Sequence, residues 1–199
     1  MKKILFLLAL LPMFVVAQNN YIINDNGSLS FIKIMNSSIN KSSGELFGNA
    51  LAYLGTTYAD ANNVIQIKND ENKFIVAKGV FSDIFSWTNS MIGRKTFFEV
   101  PHTLRIDCKD GRIKVEYTIA QYTEIEGNWV HPENDQRIRE TPILSKYPIA
   151  SPKKSNKISK EEKRYKDAFE NLTNIIEHFY SELQANPSLA IDFIIAPPR

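Results

Sequence analysis

Asp110-Gly111 constrains this chain more than any other pair of residues, because runs of alternating character flank it at Phe97–Cys108 and Arg112–Tyr122. A two-residue hairpin loop of this composition predicts a type I′ turn, which needs positive φ at both central residues. With Asp110 and Gly111 as the loop, every cross-strand partner is determined, since a slip of one residue moves each side chain to the other face. Cys108 then faces Ile113, Ile106 faces Val115 and Leu104 faces Tyr117. On the opposite face Asp107 meets Lys114 and Arg105 meets Glu116. All five pairs are apolar on apolar or opposite in charge, and such pairs contribute roughly 0.2–1 kcal/mol each. Cys108, the single cysteine, is therefore expected in the core of a half-buried sheet, and no internal disulfide can form.

The rest of the chain is read outward from that hairpin. Leu29–Met35 alternates as a strand after the turn residues Asp25-Asn26-Gly27. Ser42 and Glu45 form a capping box for a helix whose apolar stripe runs through Phe47, Ala50, Leu51, Leu54 and Tyr58. Val64–Lys68 and Lys73–Phe81 are two strands joined by the polar loop 69–72. Residues 82–93 are expected to form an irregular apolar connection containing Ile84, Phe85, Trp87, Met91 and Ile92. A Pro-rich loop is expected at about 125–158, carrying Pro132, Pro142, Pro148 and Pro152 and little periodicity. A helix capped by Ser159 with Glu162 follows over about 160–185, with Tyr165, Phe169, Leu172, Ile176, Phe179 and Leu183 on one stripe. The expected architecture is α+β: a curved antiparallel sheet of about five strands in β-α-β4-α order, with the C-terminal helix packed on it.

The N-terminus reads as a signal peptide. Lys2 and Lys3 precede the apolar run Ile4–Val16, and Val15-Val16-Ala17 places small or modest side chains before Gln18. Thirteen residues of helix span about 20 Å, short of the roughly 30 Å hydrocarbon core, so the run is not a membrane anchor. The expected division is a signal peptide at 1–17 and a single α+β domain at 18–199. The product is expected to be exported, periplasmic or secreted, and soluble after cleavage. Intact mass of the exported protein is expected to correspond to a chain beginning at Gln18; a mass that includes residues 1–17 contradicts this. Losing Lys2 and Lys3 reduces the 24 basic residues to 22, matching the 22 acidic ones. The basic balance that a nucleic-acid partner calls for is then gone.

In its element order the chain resembles a family of exported bacterial domains of unknown function assigned the TATA-binding-protein-like (TBP-like) fold. The resemblance is carried by the signal ending Ala17-Gln18, by Gly27-Ser28-Leu29-Ser30-Phe31 and by the capped helix from Ser42. The strand Ile75–Phe81 with Gly79 and the hairpin Leu104–Arg112 complete it. It covers roughly residues 22–123, and the Pro-rich stretch after Glu124 falls outside it. The family has no established activity, so the resemblance implies no catalytic residues, and the fold name does not imply DNA binding.

No cofactor, metal site or catalytic set is expected from the residues. His102, His131 and His178 lie far apart, without ligand spacing. His102 alternates onto the apolar face, His178 borders the helix stripe, and His131 falls in a loop. Neither a Gly-rich phosphate loop nor a GxSxG motif occurs. The leading expectation is a non-enzymatic binding domain for a partner protein or an apolar small molecule. An envelope hydrolase without a recognisable motif and a purely structural envelope component are the alternatives. Candidate surface residues are Trp87, Trp129, Tyr147 and Phe179, aromatics of the kind that anchor binding. Lys153, Lys154 and Lys157 form a basic stretch able to touch an anionic envelope surface weakly. The expected pocket lies between the sheet face of Leu104, Ile106, Val115 and Tyr117 and the helix stripe of Phe169 to Tyr180. Complete filling by these same side chains is the alternative, and it shifts attention to Trp129 and Tyr147.

Overall fold

The computed structural model describes residues 21–37, 40–58, 60–128, 130–131, 136–146, 159–186 and 191–192. The signal segment 1–17, Trp129, Tyr147, Lys153, Lys154 and Lys157 lie outside the described residues. The elements run β1 (Ile22–Ile23), β2 (Leu29–Ser37), α1 (Ser43–Thr57), α2 (Ala61–Val64), β3 (Ile65–Asn69) and β4 (Phe74–Asn89). They continue β5 (Arg94–Lys109), β6 (Arg112–Ile119), β7 (Gln121–Asn128), β8 (Arg137–Pro142), a 3-10 turn (Ile143–Ser145), α3 (Lys160–Ala185) and β9 (Ile191–Asp192). One antiparallel sheet of nine strands results, in the order β1-β2-β6-β5-β4-β3, with β7 on β5, β8 on β7 and β9 on β2. About five strands were expected; the four additional ones among the described residues are β1, β7, β8 and β9.

The central hairpin has the register that the sequence dictates. Cys108 pairs with Ile113, Ile106 with Val115, Leu104 with Tyr117, Asp107 with Lys114 and Arg105 with Glu116. Two details differ. Gly111 has φ +71°, but Asp110 is not among the residues of positive φ, so the turn is not type I′. The loop nevertheless remains two residues long, and loop length holds the register. Asp110 is instead recruited by α1: its carboxylate accepts the Ser43 N–H at 2.7 Å. That hydrogen bond at a helix N-terminus lowers the Asp110 pKa. The charges also pair along each strand rather than across, Arg105 with Asp107 at 2.7 Å and Lys114 with Glu116 at 2.8 Å.

The segment 82–93 is a correction to the expected irregular connection. Residues 82–89 continue β4, and only Ser90–Gly93 turn the chain into β5. Phe81 pairs with Val100 and Phe85 with Phe98, so Ser82, Asp83 and Ile84 stand opposite Glu99 alone. This bulge puts Asp83 at φ +56° and breaks the alternation that would mark a strand in sequence. At the same level β5 changes partner. Its pairing with β6 ends at His102–Ile119, and its pairing with β7 begins at Glu99–Thr123. Pro101 has no N–H for the ladder there. The β4 bulge beside this change of partner bends the sheet along the line Asp83–Pro101–Ala120.

The expected loop 125–158 is also partly strand. β7 extends to Asn128 and β8 pairs along it from Gln121–Pro142 to Glu126–Arg137. Both helices lie on one face of the sheet. α1 carries its capping box, with Ser42 and Glu45 bonded reciprocally, and Ser159 caps α3 by accepting the Glu162 N–H. Leu46, Phe47, Ala50 and Leu54 of α1 join Tyr165, Phe169, Leu172, Ile176 and Leu183 of α3 in one core with Phe31, Leu104, Ile106, Val115 and Tyr117. Among the described residues no helix covers the other face of the sheet. An antiparallel sheet tolerates this because its alternate side chains are polar.

Candidate functional site

The space between sheet and α3 is filled, so the expected pocket there is not present. Tyr117 packs edge-on against Phe179 with ring centroids 5.3 Å apart, and Tyr53 of α1 closes on Phe179 from the other side at 5.6 Å. The Tyr180 hydroxyl donates to the Phe31 carbonyl at 2.9 Å. Phe179, a candidate ligand contact, is 8% exposed and forms part of this core. Trp87 is half-buried on the helix-side face, with the Arg164 guanidinium 3.4 Å above its ring. It packs under the first turns of α3 and closes no cleft.

Histidine placement follows the same logic. His178 is exposed and sits 3.3 Å from Glu182, one turn along α3, further from the core than its stripe position suggested. His131 is exposed in the segment after β7. His102 is buried on the core face, stacked on Phe81 at 3.9 Å and edge-on to Tyr117 at 5.3 Å. Neither of its ring nitrogens has a hydrogen-bond partner. Burial pushes its pKa down to about 4, so the ring is neutral at pH 7 and packs as an aromatic. Its bed is Gly79 on the neighbouring strand, where a Cβ would lie 2.9 Å from Nε2. An aromatic ring covering a cross-strand glycine is a recognised sheet contact. Gly79→Ala is expected to destabilise by about 1–3 kcal/mol, the usual range for overpacking. Urea unfolding checks this, and Gly79→Ala combined with His102→Ala should lose much less than the two single costs added.

A depression lies on the uncovered face, where the sheet bends. It holds about 500 Å³, lined by Lys78 and Val80 of β4, Pro101 and Thr103 of β5, Thr118 of β6 and Gln121 of β7, with Asn26 at its rim. Each of these strand residues points away from the helices because its sequence neighbours Ala77, Val100, His102, Leu104, Tyr117, Ile119 and Tyr122 point toward them and are buried. Lys78 is the single charged residue in the lining, and among the described residues it has no ion-pair or hydrogen-bond partner. Thr103 and Gln121 likewise leave their side-chain donors unused among the described residues. Sequence alternation assigns Lys78, Thr103 and Thr118 to this face. What no sequence pattern reveals is the bend at Pro101 that makes the face concave. Among the described residues no group of three or more His, Cys, Asp or Glu is arranged to hold a metal ion.

A single bent antiparallel sheet, helices on one face and the opposite face open, with a long C-terminal helix, is a TBP-like α+β fold. Residues 34–123 match the family described as a domain of unknown function (DUF4468) with TBP-like fold. A crystal structure of a DUF4468 family protein from Bacteroides ovatus superimposes with TM-score 0.57 at 12% identity, covering 86% of this chain and 94% of that one. A TBP-like protein from Parabacteroides distasonis gives TM-score 0.54 at 16% identity, covering 81% and 96%. At these identities the likeness is one of fold. No curated protein matches the chain.

Proposed function

We propose that this protein is an exported, non-enzymatic binding domain and that the open face of its sheet, at the bend, receives the ligand. The observation that carries the reading is the 500 Å³ depression itself, whose size lies in the range of small-molecule sites. It is formed on rigid strands, and its unused polar groups stand beside the apolar surfaces of Val80 and Pro101. An apolar ligand between sheet and helix no longer fits, because Tyr53, Tyr117, Phe179 and Tyr180 occupy that space. Export is supported by the Lys2-Lys3 n-region, the short apolar run and the Ala17 cleavage motif. In addition, no described helix is long and apolar enough to cross a membrane.

Amide NMR tests the reading. The small-molecule fraction of the source organism's envelope is titrated into the labelled protein. Shifts are expected to cluster at residues 78–80, 101–103 and 118–121. Shifts clustered on α3, or on the β4–β5 tip around Met91, contradict it.

A further inference from the structure

We infer that the ligand of the open face is a small polar molecule bearing one oxyanion, and that Lys78 is the residue that receives the anion. The inference rests on the open-face reading above and specifies its chemistry. Among the described residues that line the depression, Lys78 is the one that carries a charge at pH 7; His102, the other ionisable residue of the lining, is turned to the core and neutral. Two carboxylates of the same face, Glu116 and Asp107, are committed elsewhere, and Glu99 of this face does not line the depression. Glu116 accepts from Lys114 at 2.8 Å and from the Ser30 hydroxyl at 2.9 Å, and Asp107 holds Arg105 at 2.7 Å. The rows of Arg105–Asp107 and Lys114–Glu116 are thus neutralised within themselves, while the exposed Lys78 ammonium has no protein partner among the described residues. Any ligand that fills the depression takes water away from that ammonium. A neutral ligand leaves a partly desolvated charge unpaired, which is unfavourable; an anionic one supplies a charge-assisted hydrogen bond in its place.

The remaining lining describes the body of the ligand. Thr103 pairs with Lys78 across the β4–β5 ladder and with Thr118 across the β5–β6 ladder, so an ammonium and two hydroxyls form one row. Val80 pairs with Pro101 in the row beside it, and that row is apolar. Hydroxyls and an amide facing a compact carbon surface suit a small hydroxylated molecule better than a flat aromatic or a long acyl chain. The depression is open on one side, so part of the ligand stays in water and the contribution of the charge is moderate.

The test uses three probes of one body: glucose, glucuronate and glucose 6-phosphate, each titrated into the full-length protein and followed by the amide signals of Gly79, Thr103 and Thr118. Glucuronate, glucose 6-phosphate or both are expected to bind at least about tenfold more tightly than glucose, a difference of about 1.4 kcal/mol. The two anionic arms separate a carboxylate source from a phosphate source. Lys78→Gln is expected to remove that preference and Lys78→Arg to keep it. Lys78 is exposed, so neither change threatens folding. Equal binding of glucose and the anions, or a preference that survives Lys78→Gln, overturns the anion assignment and leaves the open-face reading standing. Failure of both anions to move these signals also overturns it. The envelope titration then judges the open face separately.

Discussion

Lowering the pH from 7 to 4 is expected to remove about 3 kcal/mol of stability through His102 alone, the equivalent of moving its pKa from 6.5 to about 4. The folded site disfavours the proton because the ring is 5% exposed, stacked on Phe81 and edge-on to Tyr117. The titratable groups nearest it are the phenols of Tyr117 on β6 and of Tyr58 at the C-terminal cap of α1, with no carboxylate against it among the described residues. In the unfolded chain His102 takes up a proton near pH 6.5. Between that value and about 4 the unfolded state therefore binds the extra proton, and stability falls as the pH falls. Above pH 7 the contribution is complete and constant. Urea unfolding of wild type and His102→Leu at pH 7, 5.5 and 4 isolates the effect, since the leucine carries no proton. The stability of wild type should fall more steeply than that of the variant; parallel curves contradict the account.

Cys108→Asp is expected to cost at least about 3–5 kcal/mol, the penalty of an unpaired polar or charged group in an apolar site. Cys108 is 3% exposed and faces Ile113. Burial, then the nearby Asp107, pushes its thiol pKa up to about 12, so the same site would disfavour an introduced carboxylate. Cys108→Ala deletes only a small volume and should cost far less. The native protein should also resist a bulky thiol reagent that labels the unfolded chain at once. An aspartate variant within 1 kcal/mol of wild type, or fast labelling of the native state, contradicts the placement.

The hairpin around Asp110-Gly111 and both capped helices were legible because local chemistry and long-range packing agree there. Five cross-strand pairs follow from one turn. Ser42 with Glu45 and Ser159 with Glu162 mark the points where α1 and α3 begin. The second half of β4 was not legible, because its bulge removes the period of two just where Ile84 and Phe85 follow each other. β8 was not legible either. Arg137–Pro142 is an edge strand whose side chains are mostly exposed, so no apolar alternation announces it. The role of Glu124 was not legible either. It faces the helix side, where Tyr165 and Thr141 donate to it at 2.5 and 3.1 Å, a partnership between elements 17 and 41 residues away. The candidate site was hidden for a different reason. Aromatic residues drew attention to Trp87 and Phe179, which the fold uses for packing. Lys78, Thr103 and Thr118 read as an ordinary solvated face until the sheet is seen to bend beneath them.

That bend gives the account its most direct test. Thr103 lies at the centre of the depression on a strand position that accepts a large side chain, so Thr103→Trp fills the depression without disturbing the helix-side core. Thermal unfolding of wild type and Thr103→Trp is measured with and without the envelope small-molecule fraction. If the open face is the binding surface, the fraction stabilises wild type, by about 2.7 kcal/mol at a hundred times the dissociation constant, and leaves Thr103→Trp unchanged. Equal stabilisation of both proteins, or of neither, contradicts it.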